Sequence, residues 1–127
     1  AIVASDRDAG AISAARANAA RAGVAGDIAF ATHALSSVQV PAGTGLVLTN
    51  PPYGARVGDR GTLRSLYAQL GNVARTRCPG WTLAFVSADR MLDAQLKLPL
   101  QDALRFRNGG IAVRLVRAQV PVVPSTS

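Results

Sequence analysis

Leu46-Val47-Leu48-Thr49-Asn50-Pro51-Pro52-Tyr53 is the stretch from which the rest of the chain can be read. Residues 46–49 are apolar on both faces, as strands buried in a parallel sheet are. The run ends on an asparagine followed by two prolines. Each proline removes a backbone donor, and each ring pushes the residue before it out of the helical region, so a tandem pair at a strand end is a costly local choice. As a bare tetrapeptide, Asn-Pro-Pro-Tyr is a turn. Here it follows a strand and precedes an amphipathic helix, and that context points to a loop that presents side chains at a sheet end.

Upstream, Ile2-Val3-Ala4 is a short apolar run ending at Ser5-Asp6, so the chain is expected to start inside a strand. Asp8 is placed to cap a helix with apolar positions Ile12, Ala15, Ala19 and Ala22, and Gly23 stands where a left-handed C-terminal cap is wanted. Residues 28–31 read as a second strand, and 41–45 as a loop leading into the third. Downstream, Leu63, Leu66, Tyr67, Leu70, Val73 and Ala74 make one stripe of a helix over 62–77. Pro79-Gly80 breaks it, and 81–86 is a fourth strand. Ser87 or Asp89 can cap a helix running to about Leu96, which Pro99 prevents from continuing. Residues 104–107 and 111–117 flank Asn108-Gly109-Gly110, a hairpin signal in which asparagine and glycine are expected to take the positive φ of the turn. Strand and helix thus alternate until a closing hairpin. The pattern predicts a three-layer α/β/α sandwich with an antiparallel pair at one edge of its sheet. In such sheets ligands bind beyond the C-terminal ends of the strands, which here carry Asp6 and residues 50–53.

Composition narrows the classes. The 127 residues, 49% of them apolar, suit one domain with a buried core, since domains run to roughly 100–200 residues. A single cysteine, Cys78, forms no intramolecular disulfide, is read as a small buried apolar residue, and fits a reducing, cytoplasmic setting. No apolar run is long enough to span a membrane, and no secretory leader is legible at residue 1. No Cys or His cluster suggests a metal. The net charge of +7, carried almost wholly by arginine, favours a polyanionic partner. An arginine- and alanine-rich composition follows equally from a GC-rich genome, so charge supports nucleic acid without establishing it.

The residue types at 50–53 suit one chemistry. An exocyclic amine of adenine or guanine is a poor nucleophile, because its lone pair is delocalised into the ring. Two acceptors on its two hydrogens would hold it and favour pyramidalisation toward an electrophilic methyl group. The Asn50 side-chain oxygen is one such acceptor, and the Pro51 carbonyl, set at a fixed angle by Pro52, is the other. Tyr53 offers a flat face for a base taken out of its stack, and Gly54 lets the backbone turn unobstructed.

Asn50-Pro51-Pro52-Tyr53 resembles the fourth motif of class I S-adenosylmethionine-dependent amino-group methyltransferases. Ser5-Asp6, with Ala14 to Asn18 and Ala22-Gly23-Val24, looks like their second motif and the helix after it. The longer string from Thr49 through Arg56, with Leu66-Tyr67, Pro79-Gly80-Trp81 and Phe106 to Gly109, is similar to the THUMP-associated ribosomal RNA large-subunit guanine-N2 methyltransferases. The resemblance implies a Rossmann-like methyltransferase fold, S-adenosylmethionine as cofactor, and guanine-N2 of 23S ribosomal RNA as target. It implies Asn50, Pro51, Pro52 and Tyr53 as catalytic residues, with Asn50 also on the cofactor side, and Tyr53 and Arg56 as substrate contacts. Asp6 corresponds to the acid that binds the cofactor ribose, against the alternative of an Asp in a capping turn. Arg7 either stacks on the adenine or is solvated. His33-Ala34 stands where the family has Asp-Ala, a departure: neutral imidazole can accept a hydrogen bond there, or His33 is structural or merely exposed.

Family members open the catalytic domain with a strand and a glycine-rich loop around the methionine part of the cofactor, and neither is found here. Residues 1–120 are therefore expected to be a partial catalytic domain, missing the central strand between those ending at Ser5 and Thr49, with 121–127 a frayed tail and the oligomeric state left open. Two other readings stand beside it: an adenine-N6 methyltransferase acting on DNA or RNA, which shares the tetrapeptide, and a non-catalytic nucleic-acid-binding fragment.

Overall fold

In the computed structural model, which describes residues 2–53 and 60–122, the chain forms two compact units, Ala1–Gln39 and Val40–Ser127.

In the first unit β1 (Ile2–Asp6) pairs in parallel with β2 (Ile28–Thr32), from Ile2 opposite Ile28 to Asp6 opposite Thr32. Between them runs α1 (Ala9–Arg21). Asp8 is its N-cap as expected, its carboxylate accepting from the Gly10 N–H at 3.0 Å. Gly23, at φ +76°, closes the other end. Its N–H reaches the Ala20 carbonyl at 3.1 Å, and the Val24 N–H reaches Ala19 at 2.9 Å, the paired bonds of a left-handed glycine cap. Of the expected apolar stripe only Ile12 and Ala19 are buried, while Ala22 is exposed.

The second unit is built on β3 (Leu46–Thr49), α2 (Arg60–Arg77), β4 (Thr82–Ser87), α3 (Arg90–Asp93) and the hairpin β5 (Gln101–Asn108) and β6 (Ile111–Gln119). Asp89, not Ser87, caps α3, accepting from the Met91 and Leu92 N–H groups, and a 3-10 turn, Ala94–Leu96, extends the helix to the expected end. The strand order is β3-β4-β6-β5. β3 and β4 are parallel, β6 returns antiparallel to β4, and β5 lies outermost, antiparallel to β6. Two reversals restore the original direction, so β5 points the same way as β3 and β4. The C-terminal ends of all three lie along one end of the sheet.

The core of this unit lies on the face carrying Leu83, Phe85, Val116 and Ala118, all buried. α2 contributes Leu63, Tyr67, Leu70, Val73 and Ala74, and the Tyr67 ring meets Phe85 edge on, with centroids 6.4 Å apart. Gly71 lets α2 close on the turn after α3, since a Cβ there would collide with the Leu96 backbone. Cys78 is buried, and burial pushes its thiol up, so it behaves as the small apolar residue expected. A polar cluster is built into the same side. The fully buried Ser87 hydroxyl donates to Asp93, whose other oxygen accepts from Arg114 at 2.5 Å. Arg114 also reaches Asp102 at 2.6 Å, and Arg90 joins Asp102 at 3.0 Å. Among the described residues every buried side-chain polar atom has a partner.

Two expectations need correction. β3 is apolar on both faces but is not buried on both: Leu46 and Leu48 are 58% and 68% exposed. By register they share a face with Leu104, also exposed, and no layer of this unit covers that face. In the hairpin, the two positive-φ positions are Gly109 (57°) and Gly110 (83°), whereas Asn108 stays in β5 opposite Ile111. Two glycines satisfy a tight turn without steric cost, so the asparagine is not needed for it. Among the described residues no helix is long and apolar enough to cross a membrane.

Candidate functional site

The segment Asn50-Pro51-Pro52-Tyr53 leaves β3 at the end of the sheet where β4 and β5 also finish. Pro51 is buried, Pro52 is exposed and Tyr53 is half-buried. Two side chains from distant elements hold the segment. The Tyr67 hydroxyl, on the buried face of α2, donates to the Pro52 carbonyl at 2.9 Å. The Asn108 carboxamide, at the end of β5, donates to the Tyr53 hydroxyl at 2.6 Å. Tyr67 is kept protonated: burial first, then the negative fields of Asp93 and Asp89 and the neighbouring Tyr53, push its phenol up to about 12. The donor to Pro52 is therefore present at any ordinary pH.

Among the described residues this scaffolding does not engage the candidate acceptors. Neither the exposed Asn50 side chain nor the Pro51 carbonyl takes a hydrogen bond from any described residue. An amide oxygen and a proline carbonyl at the mouth of a parallel sheet form an acceptor pair suited to an N–H₂ group. Arg56, Gly54 and Ala55 lie outside the described residues.

In the first unit the parallel pairing brings Asp6, Arg7, His33 and Ala34 to one end. The His33 N–H donates to the Asp6 carbonyl at 3.0 Å, which fixes the backbone after β2 beside the end of β1. Asp6 Oδ1 accepts from the Asp8 N–H at 2.8 Å, while Oδ2 has no partner among the described residues. The turn thus uses one carboxylate oxygen of Asp6 and Asp8 does the capping, which leaves the second oxygen available to a hydroxyl. Arg7 is exposed and makes no ion pair with a described residue, His33 is half-buried, and Ala34 is exposed, preceding the 3-10 turn Leu35–Ser37. Among the described residues no group of three or more His, Cys, Asp or Glu side chains could hold a metal ion.

Two residues were not singled out as site residues from the sequence. Tyr67 read as one more apolar position in a helical stripe, yet a phenol in an otherwise aliphatic stripe must find an acceptor once buried, and that signal was available. Asn108 read as a turn residue. The doubled glycine after it was the sign that the turn did not require it.

The architecture is that of known methyltransferases. A protein described as a possible methylase, from Clostridium difficile 630, has a crystal structure that superposes with a TM-score of 0.85 at 26% identity, covering 98% of this chain and 33% of that one. Chemistry-bearing residues at the carboxyl ends of parallel strands, with an antiparallel hairpin that places β6 inside β5, define the Rossmann-like class I methyltransferase fold. Within that class, residues 1–116 match the UPF0020 family, described as RMKL-like, methyltransferase domain, and the chain belongs to that family. Relatives named ribosomal RNA large subunit methyltransferase K/L are 39% identical over 107 residues in Shewanella woodyi and 40% identical over 119 residues in Syntrophotalea carbinolica. The matches cover 84% and 91% of this chain but only 15% and 17% of those relatives.

Proposed function

We propose that this chain is part of an S-adenosylmethionine-dependent methyltransferase acting on an exocyclic purine amine of RNA, guanine-N2 of large-subunit ribosomal RNA, in the cytoplasm. The observation that carries the proposal is the acceptor pair at Asn50 and Pro51, which takes no hydrogen bond from the described residues, on a segment fixed from both sides by Tyr67 and Asn108. The names of the relatives favour RNA over DNA.

The residues present fit the cofactor chemically. Asp6 Oδ2, which has no partner among the described residues, is an acceptor at a strand end suited to a ribose hydroxyl, and Arg7, His33 and Ala34 stand at the same end for the adenine. When bound, the cofactor supplies an electrophilic sulfonium methyl. Residues of this chain would act on the amine. Asn50 and Pro51 accept the two amine hydrogens, so that the nitrogen lone pair is turned out of conjugation toward the methyl group. Tyr53 supports the ring of the extruded base, and Arg56 contacts RNA phosphate.

The test is methylation of unmodified large-subunit ribosomal RNA by the full-length protein with labelled cofactor, followed by nucleoside analysis. N2-methylguanosine is expected. N6-methyladenosine would replace guanine with adenine as the target, and no labelled nucleoside at all would overturn the proposal in favour of a non-catalytic domain.

A further inference from the structure

Asn108 presents a carboxamide that its own local structure does not use. Its backbone is regular β5, paired with Ile111, and the turn beyond it is formed by Gly109 and Gly110 at positive φ. Arg107 closes the same turn, donating to the Gly110 carbonyl at 2.8 Å. The hairpin is therefore complete without the Asn108 side chain. That side chain instead spans 55 positions of sequence to the Tyr53 hydroxyl, and among the described residues it is the hydrogen bond that Tyr53 makes.

Strand polarity explains how the two meet. β5 is three strands from β3, roughly 14 Å at the usual strand spacing. The four residues after Thr49, extended by their prolines, span up to about 14 Å. The tandem prolines thus carry Tyr53 along the carboxyl end of the sheet to the end of β5, and Tyr67 supports the segment midway through the Pro52 carbonyl. The direction of the bond also matters. Because the amide donates, Tyr53 accepts, and its own O–H proton stays available for a substrate acceptor such as a purine carbonyl oxygen.

Resting on the functional reading above, we infer that Asn108 is a positioning residue: it fixes the tilt of the Tyr53 ring on which the target base lies and keeps the phenolic proton directed to the substrate. The role acts after RNA has docked, because RNA docking is dominated by phosphate contacts, whereas the Asn108 carboxamide is engaged by Tyr53.

The experiment is a double-mutant cycle in the full-length protein with unmodified ribosomal RNA, using Asn108→Ala, Tyr53→Phe and the two combined. Asn108→Ala is expected to lower kcat on the order of 10- to 100-fold, as a misaligned reactant does, with KM for RNA within about twofold and the unfolding temperature unchanged. Tyr53→Phe keeps the ring and should show a similar loss, and the double variant should be no worse than either single one. Unchanged kcat in Asn108→Ala overturns the inference. So do losses that multiply in the double variant, or a loss that tracks a lowered unfolding temperature. Asn50→Ala is the control that separates the two levels: if it abolishes transfer while Asn108→Ala does not, only the inference about Asn108 fails. If the protein transfers no methyl group, both fail.

Discussion

The two units hold their candidate residues by different means. In the first, Asp6 and His33 are placed almost entirely by the main chain, through parallel pairing, the His33 N–H on the Asp6 carbonyl and the Asp8 N–H on the Asp6 carboxylate. In the second, the segment 50–53 is held by side chains, a buried phenol from α2 and a carboxamide from β5. The difference follows from the layers each unit has. A two-stranded sheet under one helix buries Ile12 and Ala19 and has little interior from which to project a buried side chain. A four-stranded sheet under α2 and α3 has such an interior. On the proposed function, backbone placement suits a carboxylate that would read hydroxyls, whereas catalysis on a base would need a loop fixed against every slip.

The contrast can be broken most directly at Asn50. Asn50→Ala in the full-length protein is expected to lower turnover on the order of 100- to 1,000-fold, the usual effect of removing a preorganised polar contact to the reacting group. Its cofactor dissociation constant by calorimetry should stay within about threefold. A large loss of cofactor affinity would erase the division of labour between the units.

Next in size is the scaffold of the second unit. Arg114 is 12% exposed and Asp93 7% by side chain, so Arg114→Ala leaves a carboxylate with its main counter-charge gone. The cost should be about 3 kcal/mol, read from urea unfolding. An effect under about 1 kcal/mol would place the cluster with ordinary surface pairs.

Asp6→Ala is the mirror image of Asn50→Ala. Losing a charge-assisted bond should weaken cofactor binding by about 1.5–3 kcal/mol, while the turnover at saturating cofactor changes much less. Should turnover fall as far as it does for Asn50→Ala, the main-chain region would be catalytic too.

Tyr67→Phe removes the hydroxyl that supports Pro52 and keeps the ring against Phe85. A stability loss of about 1 kcal/mol is expected by thermal unfolding, with a fall in kcat and little change in KM. Equal kcat for the variant would show that the prolines and Asn108 hold the loop without the Tyr67 hydroxyl.

The smallest effects are those of pH. Asp102 is held below the usual carboxylate range, chiefly by the hydrogen bond from Arg114 and then by Arg90. For Asp89 burial is the largest influence and opposes ionisation, but the Met91 and Leu92 N–H groups and Arg60 together outweigh it and leave the carboxyl lowered. Groups depressed in the folded state stabilise above their unfolded value, about 4, and lose that contribution as pH falls through the folded one. Tyr67 is raised, to about 12, so its contribution is complete below the ordinary phenol value of about 10 and is lost as pH climbs through 12. Unfolding midpoints should therefore be level between these limits and decline outside them; a decline beginning at neutral pH would assign the stability to other groups.

Much of the secondary structure was legible in the sequence because its signals are local. The strand at Leu46–Thr49 has the bounds its composition predicts, Asp8 and Gly23 cap α1, and Pro79-Gly80 ends α2 where a helix cannot continue. Asn50, Pro51, Pro52 and Tyr53 stand out as a candidate site for the same reason, since two prolines at a strand end constrain the chain whatever surrounds them. Burial was less legible: Leu46 and Leu48 have the composition of a doubly covered strand, but coverage depends on other layers.

From the residues alone came the alternation of elements, the strand ends that carry Asp6 and residues 50–53, and the proposal that Asn50 and Pro51 act as acceptors. Only the tertiary structure decided that β6 lies between β4 and β5, that Tyr67 supports Pro52, and that Asn108 meets Tyr53 from 55 positions away. Helix caps and turns are set by a few neighbouring torsions, whereas strand order and the partner of a side-chain hydroxyl are set by which surfaces pack together, and that information is spread over the whole chain.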